Sequence, residues 1–371
     1  MRIPFNDLAT PHAAIVEDVV AEVRALAANS RFIGGAAVES FEQDWAAYCG
    51  TDKAVGVANG TDAIELTLRA LGIGAGDEVI VPANTVIATA SAVAAAGATP
   101  VFVDVDPVTL AITPESLAAG YTPRTAAVIP VHLYGHLVPP AHVLPFAAQH
   151  GLAVIEDAAQ AHGGTAENGQ VRAGSYGVAG TFSFYPGKNL GAWGDAGAVV
   201  TNDTQLASKI RSLANHGRSE GTDHYEHRYV GRNSRLDAVQ AAILRRKLVD
   251  LDAATAQRRR VASVYRTTLD SYEIPMVSPL SGVDSAWHLL VARVPDREAI
   301  RRALDVVGVG TGVHYPVPCH RQHAYADQRT PALPVAEQAA AEVLSLPFYP
   351  HMREDEVAYV AEHLAKAIAD A

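Results

Sequence analysis

Apolar residues along this chain follow two rhythms. Short, nearly continuous apolar runs occur at Ala54–Ala58, Val79–Pro82, Thr99–Val103, Ala126–Val131, Ala153–Asp157, Thr181–Tyr185 and Gly197–Thr201. Between several of them, apolar residues recur at intervals of three and four. Val16, Val19, Val20, Val23 and Leu26 mark such a segment within Ala14–Ala28, and Val38–Cys49, Ala63–Leu71, Ala88–Ala96, Pro140–His150 and Thr204–Ala214 continue the pattern. The first rhythm predicts strands and the second helices. Strands that are apolar on both faces, separated by helices, predict a mostly parallel sheet covered on both sides. In such sheets ligands bind at the carboxyl ends of the strands.

The pattern changes after Ala214. His216–Arg232 is polar and irregular, containing His216, Arg218, His224, Tyr225 and His227, and reads as a functional loop. Asn233–Asp237 then opens one long predicted helix that runs through Ala238, Ala241, Leu244, Leu248 and Leu251 toward Tyr265. Its length suits a hinge, and the basic run Arg258-Arg259-Arg260 reads as its solvated face. The remainder predicts a small α+β unit: strand Leu289–Val294, helix Arg297–Val306, a strand near Gly312–Tyr315, and helices Pro334–Leu344 and Glu354–Ala369. The expected division is an N-terminal arm and large domain over residues 1–250 and a small C-terminal domain over residues 251–371.

Composition narrows the function. A net charge of −11 argues against a nucleic-acid or anionic-membrane partner. Two cysteines, Cys49 and Cys319, give no disulfide framework and fit a reducing compartment. The start MRIPFNDLAT lacks the apolar centre of a signal peptide, and no apolar run reaches the roughly 20 residues of a membrane span. The expectation is a cytoplasmic protein.

Three places carry chemistry. Lys188 follows a Pro186-Gly187 turn between two apolar strands, where an amine is costly unless paired, hydrogen-bonded or covalently occupied. A lysine with depressed basicity forms a Schiff base with an aldehyde cofactor, so Lys188 is the candidate carrier of pyridoxal phosphate. Gly60-Thr61 lies between a strand and a helix, where free N–H groups suit a phosphate, although Thr61 or Asp62 acting as a plain helix cap explains the same residues. Asp157 leaves the end of a buried strand and needs a cationic partner, which a protonated pyridine nitrogen supplies; helix capping is its alternative role. Gln160 and His162 lie just beyond, within reach of a ring oxygen or substrate. His314, Tyr315, His320, His323 and Tyr325 cluster in the C-terminal part as candidate substrate contacts. Cys319, His320 and His323 lack a second ligand pair at zinc-like spacing, so no metal is expected.

Eight segments in order, among them VANGTDAIELTLRAL (57–71), GDEVIVPANTVIATASAV (76–93), PVHLYG (130–135), IEDAAQAHG (155–163), FSFYPGKNLGAWGDAGAVVT (182–201) and GRNSRLDAVQAAIL (231–244), resemble the sugar aminotransferases of the DegT/DnrJ/EryC1/StrS family. The resemblance spans nearly the whole chain. It implies an α/β fold like that of aspartate aminotransferase (fold type I), with a mixed, mostly parallel sheet in the large domain and a small α+β C-terminal domain. It also implies that Lys188 anchors pyridoxal 5′-phosphate, Asp157 pairs with the pyridinium nitrogen, and Gln160 bonds the ring hydroxyl. The phosphate takes Gly60, Thr61 and Ser183 from one subunit and Asn233 from its neighbour, so a homodimer is expected. Val86 departs from the pattern, standing where many relatives stack an aromatic residue on the ring.

The same resemblance implies transfer of an amino group from L-glutamate to a nucleotide-linked keto sugar. The text YPGKNLGAWGDAGA, with Asp195 where 4-keto-sugar enzymes more often carry Glu, places it with the 3-aminotransferases, apart from Trp193 and Ala196. Tyr185, His314 and Tyr315 correspond to residues near the hexose in that group. The alternatives are a 4-keto-sugar or inosose aminotransferase and, from another class, a non-catalytic cofactor-binding regulator.

Overall fold

Seven strands build the central sheet of the computed structural model, which describes residues 1–218, 225–328 and 330–371. His224 of the polar loop lies outside the described residues. The strands are β1 (Lys53–Val57), β2 (Glu78–Pro82), β3 (Thr99–Val103), β4 (Thr125–Val128), β5 (Ala153–Asp157), β6 (Ala179–Ser183) and β7 (Gly197–Thr201). Their order is β1-β7-β6-β5-β4-β2-β3. The neighbours from β3 through β6 pair in parallel, and β7 runs antiparallel to both β1 and β6. The expected mixed, mostly parallel α/β sheet is therefore present.

Residue parity within the strands assigns the two faces. In β2, Val79 and Val81 enter one core together with Ile64, Ala90, Phe102 and Ile155. Ile80 enters the opposite core with Val128, Val154, Leu117 and Ala147. Helices Gly60–Leu71 and Ile87–Ala95 supply the first face, and Pro114–Gly120 and Leu144–His150 the second. A third cluster, around Phe41, Trp45, Phe182 and Phe184, packs helix Ala36–Cys49 and helix Ala238–Leu248 beside the β6–β7 unit. A separate apolar core joins helices Leu251–Asp270, Arg297–Val306 and Glu354–Ala369 to β8 (Leu290–Arg293) and β9 (Val343–Leu346), which pair antiparallel. Ile3 is inserted into this core and bridges Val309.

Several expectations are corrected. The single long helix is two, Ala238–Leu248 and Leu251–Asp270, with the first ending at Val249 and Asp250 preceding the second. The basic run is not a solvated face: Arg258 is buried, Arg259 is half-buried and donates to the carbonyls of Gly163, Asp284 and Ser285, and only Arg260 is exposed. Pro140–His150 divides into a 3₁₀ turn, Pro140–His142, and helix Leu144–His150. The segment near Gly312–Tyr315 forms one bridge, Gly312 to Ser345, instead of a strand. The helix from Pro334 stops at Glu342, and Val343–Leu346 turns into β9, whose apolar residues all point into protein. Helix Pro114–Gly120, closed by a Thr113–Ser116 capping box, had no apolar periodicity long enough to announce it.

The carboxyl end of β5 is fixed by Glu156, which is fully buried. Its Oε2 accepts from His132 Nε2 (2.9 Å) and Gly174 N (2.7 Å), and its Oε1 from the N–H groups of Tyr176 and Gly177 (2.8 Å each). His132 Nδ1 accepts from Val138 N at 3.2 Å, so Nε2 carries the proton and a neutral imidazole suffices. Four donors fill the carboxylate without water. Glu156→Gln would turn an NH₂ group toward backbone donors. It should lower unfolding stability by ~2–4 kcal/mol, read from urea denaturation midpoints, while the native far-UV spectrum is retained.

Candidate active site

A pocket opens at the carboxyl ends of β5 and β6. It is lined by Phe5, Asn6, Gln160, Tyr185, Gly187, Lys188, His288, Leu289, His314, Tyr315 and Phe348. Beyond β6 the chain passes Phe184, turns at Tyr185–Lys188 with Lys188 N donating to Tyr185 O (2.8 Å), and returns as β7. The turn delivers the lysine side chain to the strand ends.

Lys188 Nζ has no ion pair or hydrogen bond among the described residues. Burial pulls its basicity down from the ordinary lysine value to about 8, partly opposed by the carboxylate of Asp157. Asp157 itself is buried. Its Oδ2 accepts from Thr89 Oγ1 (2.8 Å) and its Oδ1 from Ala159 N (3.2 Å), so the carboxylate is oriented by both. It caps no helix. Gln160 is held at both ends of its amide: Oε1 accepts from Tyr134 N (2.6 Å), and Nε2 donates to Tyr315 Oη (3.1 Å). The Tyr315 phenol is raised by burial and by Asp157, with the Gln160 hydrogen bond acting against this. His314 stacks on Phe5 and shares a 2.8 Å hydrogen bond between Nδ1 and Ser345 Oγ. Burial, then the charge of Lys188, depress His314 to about 4, which keeps it neutral at physiological pH.

Helix Gly60–Leu71 begins beside this group. Asn59, not Thr61 or Asp62, is its cap, accepting from Asp62 N at 2.8 Å. The N–H groups of Gly60 and Thr61 and the Thr61 hydroxyl donate to no group among the described residues. A Cβ on Gly60 would lie 2.7 Å from Ser183 Cβ, so only glycine lets the helix start approach Ser183. The Ser183 hydroxyl accepts from Tyr185 N (3.3 Å) and retains its own proton to donate.

Among the residues selected from sequence, the pocket wall thus contains Gln160, Tyr185, Lys188, His314 and Tyr315. Asp157, Gly60, Thr61 and Ser183 stand behind it. Asn233 is exposed and outside the wall. His162, expected within reach of a ring oxygen or substrate, is instead buried among Trp45, Phe182 and Phe184, with neither ring nitrogen hydrogen-bonded among the described residues. Burial and then the Lys188 charge lower it to about 3. His320 is turned away onto Glu337 (3.0 Å), Cys319 Sγ donates to Thr85 O, and His323 and Tyr325 do not line the pocket.

Four contributors escaped the sequence reading. Tyr134, buried and in the left-handed region at φ 60°, donates its N–H to Gln160 and its hydroxyl to the His314 carbonyl, tying the two halves of the wall together. Its signal was the PVHLYG segment. Phe5 and Asn6 come from what looked like an arm. His288 follows Trp287 and approaches Asn189 Oδ1 at 3.3 Å.

The family model for the DegT/DnrJ/EryC1/StrS aminotransferases matches residues 13–365. The chain belongs to this family. It is accordingly an aminotransferase. It is 43% identical over 366 residues to a dTDP-3-amino-3,4,6-trideoxy-α-D-glucose transaminase of Streptomyces venezuelae, covering 97% of this chain and 95% of that one. It is also 43% identical over 366 residues to a UDP-N-acetyl-3-dehydro-α-D-glucosamine 3-aminotransferase of Acidithiobacillus ferrooxidans, covering 99% and 98%. The crystal structure of S. venezuelae DesV in complex with a ketimine intermediate superposes with a TM-score of 0.94 at 43% identity, covering 98% of both chains.

The residues present fit pyridoxal phosphate, the cofactor the family resemblance implies. An uncommitted amine suits the aldehyde, a buried carboxylate beside it suits a ring cation, and the free donors of Gly60, Thr61 and Ser183 form a phosphate cradle that a Cβ at residue 60 would fill. In the cofactor-free aminotransferase, labelling of Lys188 by an amine-directed reagent, followed by peptide mass, should rise with a midpoint near pH 8. Only the neutral amine reacts, and a free lysine side chain reaches that form near 10.4.

Proposed function

We propose that this aminotransferase moves the amino group of L-glutamate to the 3-keto carbon of a dTDP-linked 6-deoxyhexose, in the synthesis of an amino sugar for a natural product. The observation that carries the reading is Lys188: an amine with no hydrogen-bond or ion-pair partner among the described residues, placed near the buried Asp157 carboxylate and walled by Tyr185, His314 and Tyr315. Support for carbon 3 comes from the two relatives, both named for amination at that position, and from the text around Asp195. Their carriers, dTDP in one and UDP in the other, leave the deoxyhexose reading resting on the S. venezuelae relative.

The cofactor is pyridoxal 5′-phosphate, which when bound supplies the electron sink that makes an amine's α-proton acidic. Gly60, Thr61 and Ser183 would hold its phosphate, Asp157 its ring nitrogen and Gln160 its ring hydroxyl. Lys188 Nζ would take the proton from the donor's α-carbon; a value of about 8 keeps an appreciable neutral fraction near neutrality. Tyr185, His314 and Tyr315 orient the sugar, with the neutral His314 imidazole available for hydrogen bonding. The partner subunit's Asn233 completes the phosphate site in the proposed homodimer, which accords with the exposure of Asn233 in its own subunit. The same reading divides the chain at residues 250 and 251, where the two helices part.

The visible band of the cofactor-loaded protein tests the position of amination. L-Glutamate and a dTDP-3-amino-6-deoxyhexose should each bleach it, and the 4-amino isomer should not. Bleaching by the 4-amino sugar alone would replace the 3-keto assignment.

A further inference from the structure

The chain carries net negative charge, yet two cations near the pocket, buried Arg258 and half-buried Lys247, have no carboxylate partner among the described residues. A second cavity, adjoining the first, is walled by Lys188, Lys247 and Arg258. Arg258 is 6% exposed. Its only hydrogen bond among the described residues is from Nη1 to Trp287 O (3.2 Å), and its guanidinium lies over the Phe348 ring at 5.5 Å. No carboxylate lies within ion-pair distance of it among the described residues. Lys247 is similar: Nζ donates to Gly191 O (2.5 Å) and stands 3.5 Å from His12 Nε2, a neighbour that offers no negative charge.

The two acidic residues in the same wall do not neutralise these cations. Asp7 is engaged with Thr10 and with His351 Nε2 (2.8 Å), and Asp250 pairs with Arg246 (3.0 Å). Unrelieved burial lowers Lys247 to about 8 and Arg258 to about 10. The charge of Arg258 is felt at His288 together with that of Lys188, so guanidinium and amine converge on one locality. A buried guanidinium with unused donors is matched best by a carboxylate, which it binds through paired N–H groups.

We propose that Arg258 and Lys247 anchor the two carboxylates of a dicarboxylic amino donor and so determine the donor class. This rests on the transamination reading above. Two cations flank a wall that also contains Lys188, and a dicarboxylic amino acid offers two anions around one amine. A monocarboxylic donor leaves one buried cation uncompensated. The sugar, by contrast, would meet Tyr185, His314 and Tyr315 in the first pocket. Arg258 and Lys247 are therefore donor-binding residues with no part in the proton transfer.

The test uses the cofactor-loaded enzyme with Arg258→Gln and Lys247→Met. Calorimetry with succinate, a dicarboxylate without an amine, should show binding to the wild type that weakens ~10–100-fold in each variant. The concentration of L-glutamate needed for half-maximal bleaching should rise by a similar factor, while bleaching by the amino sugar is affected at least tenfold less. Failure of succinate to bind the wild type, equal binding by the variants, or a parallel loss of both half-reactions would each overturn the proposal. The last result would assign Arg258 a structural role behind Phe348. If no amine bleaches the wild type but succinate binding still depends on both cations, the transamination reading falls and the dicarboxylate site stands.

Discussion

Two successive carboxylates at the end of β5 point to opposite faces of the sheet, and the site depends on that parity. Glu156 shares the face of Val154 and is consumed by structure, gathering His132 and the N–H groups of residues 174, 176 and 177. Asp157 shares the face of Ile155 and is left with charge to present near Lys188. A slip of one residue would exchange the two roles, since alternate residues of a strand occupy opposite faces. The four-donor network around Glu156 opposes that slip by making any other occupant of its position costly.

The β6–β7 unit contributes the second half of the arrangement. Parallel pairing of β6 with β5 sets both carboxyl ends at one edge, and the antiparallel return of β7 confines Lys188 to the turn between them. Helix Gly60–Leu71 reaches the same edge, because residue 60 has no side chain and residue 59 satisfies the cap. Anion-seeking groups thus collect in a chain whose total charge is −11. The protein concentrates positive charge by leaving Lys188, Lys247 and Arg258 without carboxylate ion pairs among the described residues, while Asp7 and Asp250 are committed elsewhere.

Local patterns carried most of the sheet, because the apolar runs of β2, β3, β5 and β7 are long relative to their turns. They also carried the lysine turn, where Pro186-Gly187 interrupts two such runs. What they did not carry depends on distant contacts. Nothing in the spacing of Leu248, Val249, Asp250 and Leu251 distinguishes one helix from two. Val343–Leu346 continues an Ala-rich helical pattern and becomes a strand because Leu290–Arg293 offers an edge. Arg258 appeared solvated beside Arg259 and Arg260, yet helical rotation carries it inward and the other two progressively outward. His162 lost its candidate role once three aromatic rings enclosed it. Tyr134 and Phe5 were invisible as site residues, since their importance comes from partners 180 and 309 positions away.

The proposed function requires that Lys188, and no other amine, carry the cofactor. Lys247 makes this a real choice, because it too is half-buried, lowered to about 8 and faces the same cavity. Borohydride reduction of the cofactor-loaded protein followed by peptide mapping decides between them. A single covalent label is expected on the peptide containing Lys188. A label on Lys247, with Lys188 unmodified, would contradict it.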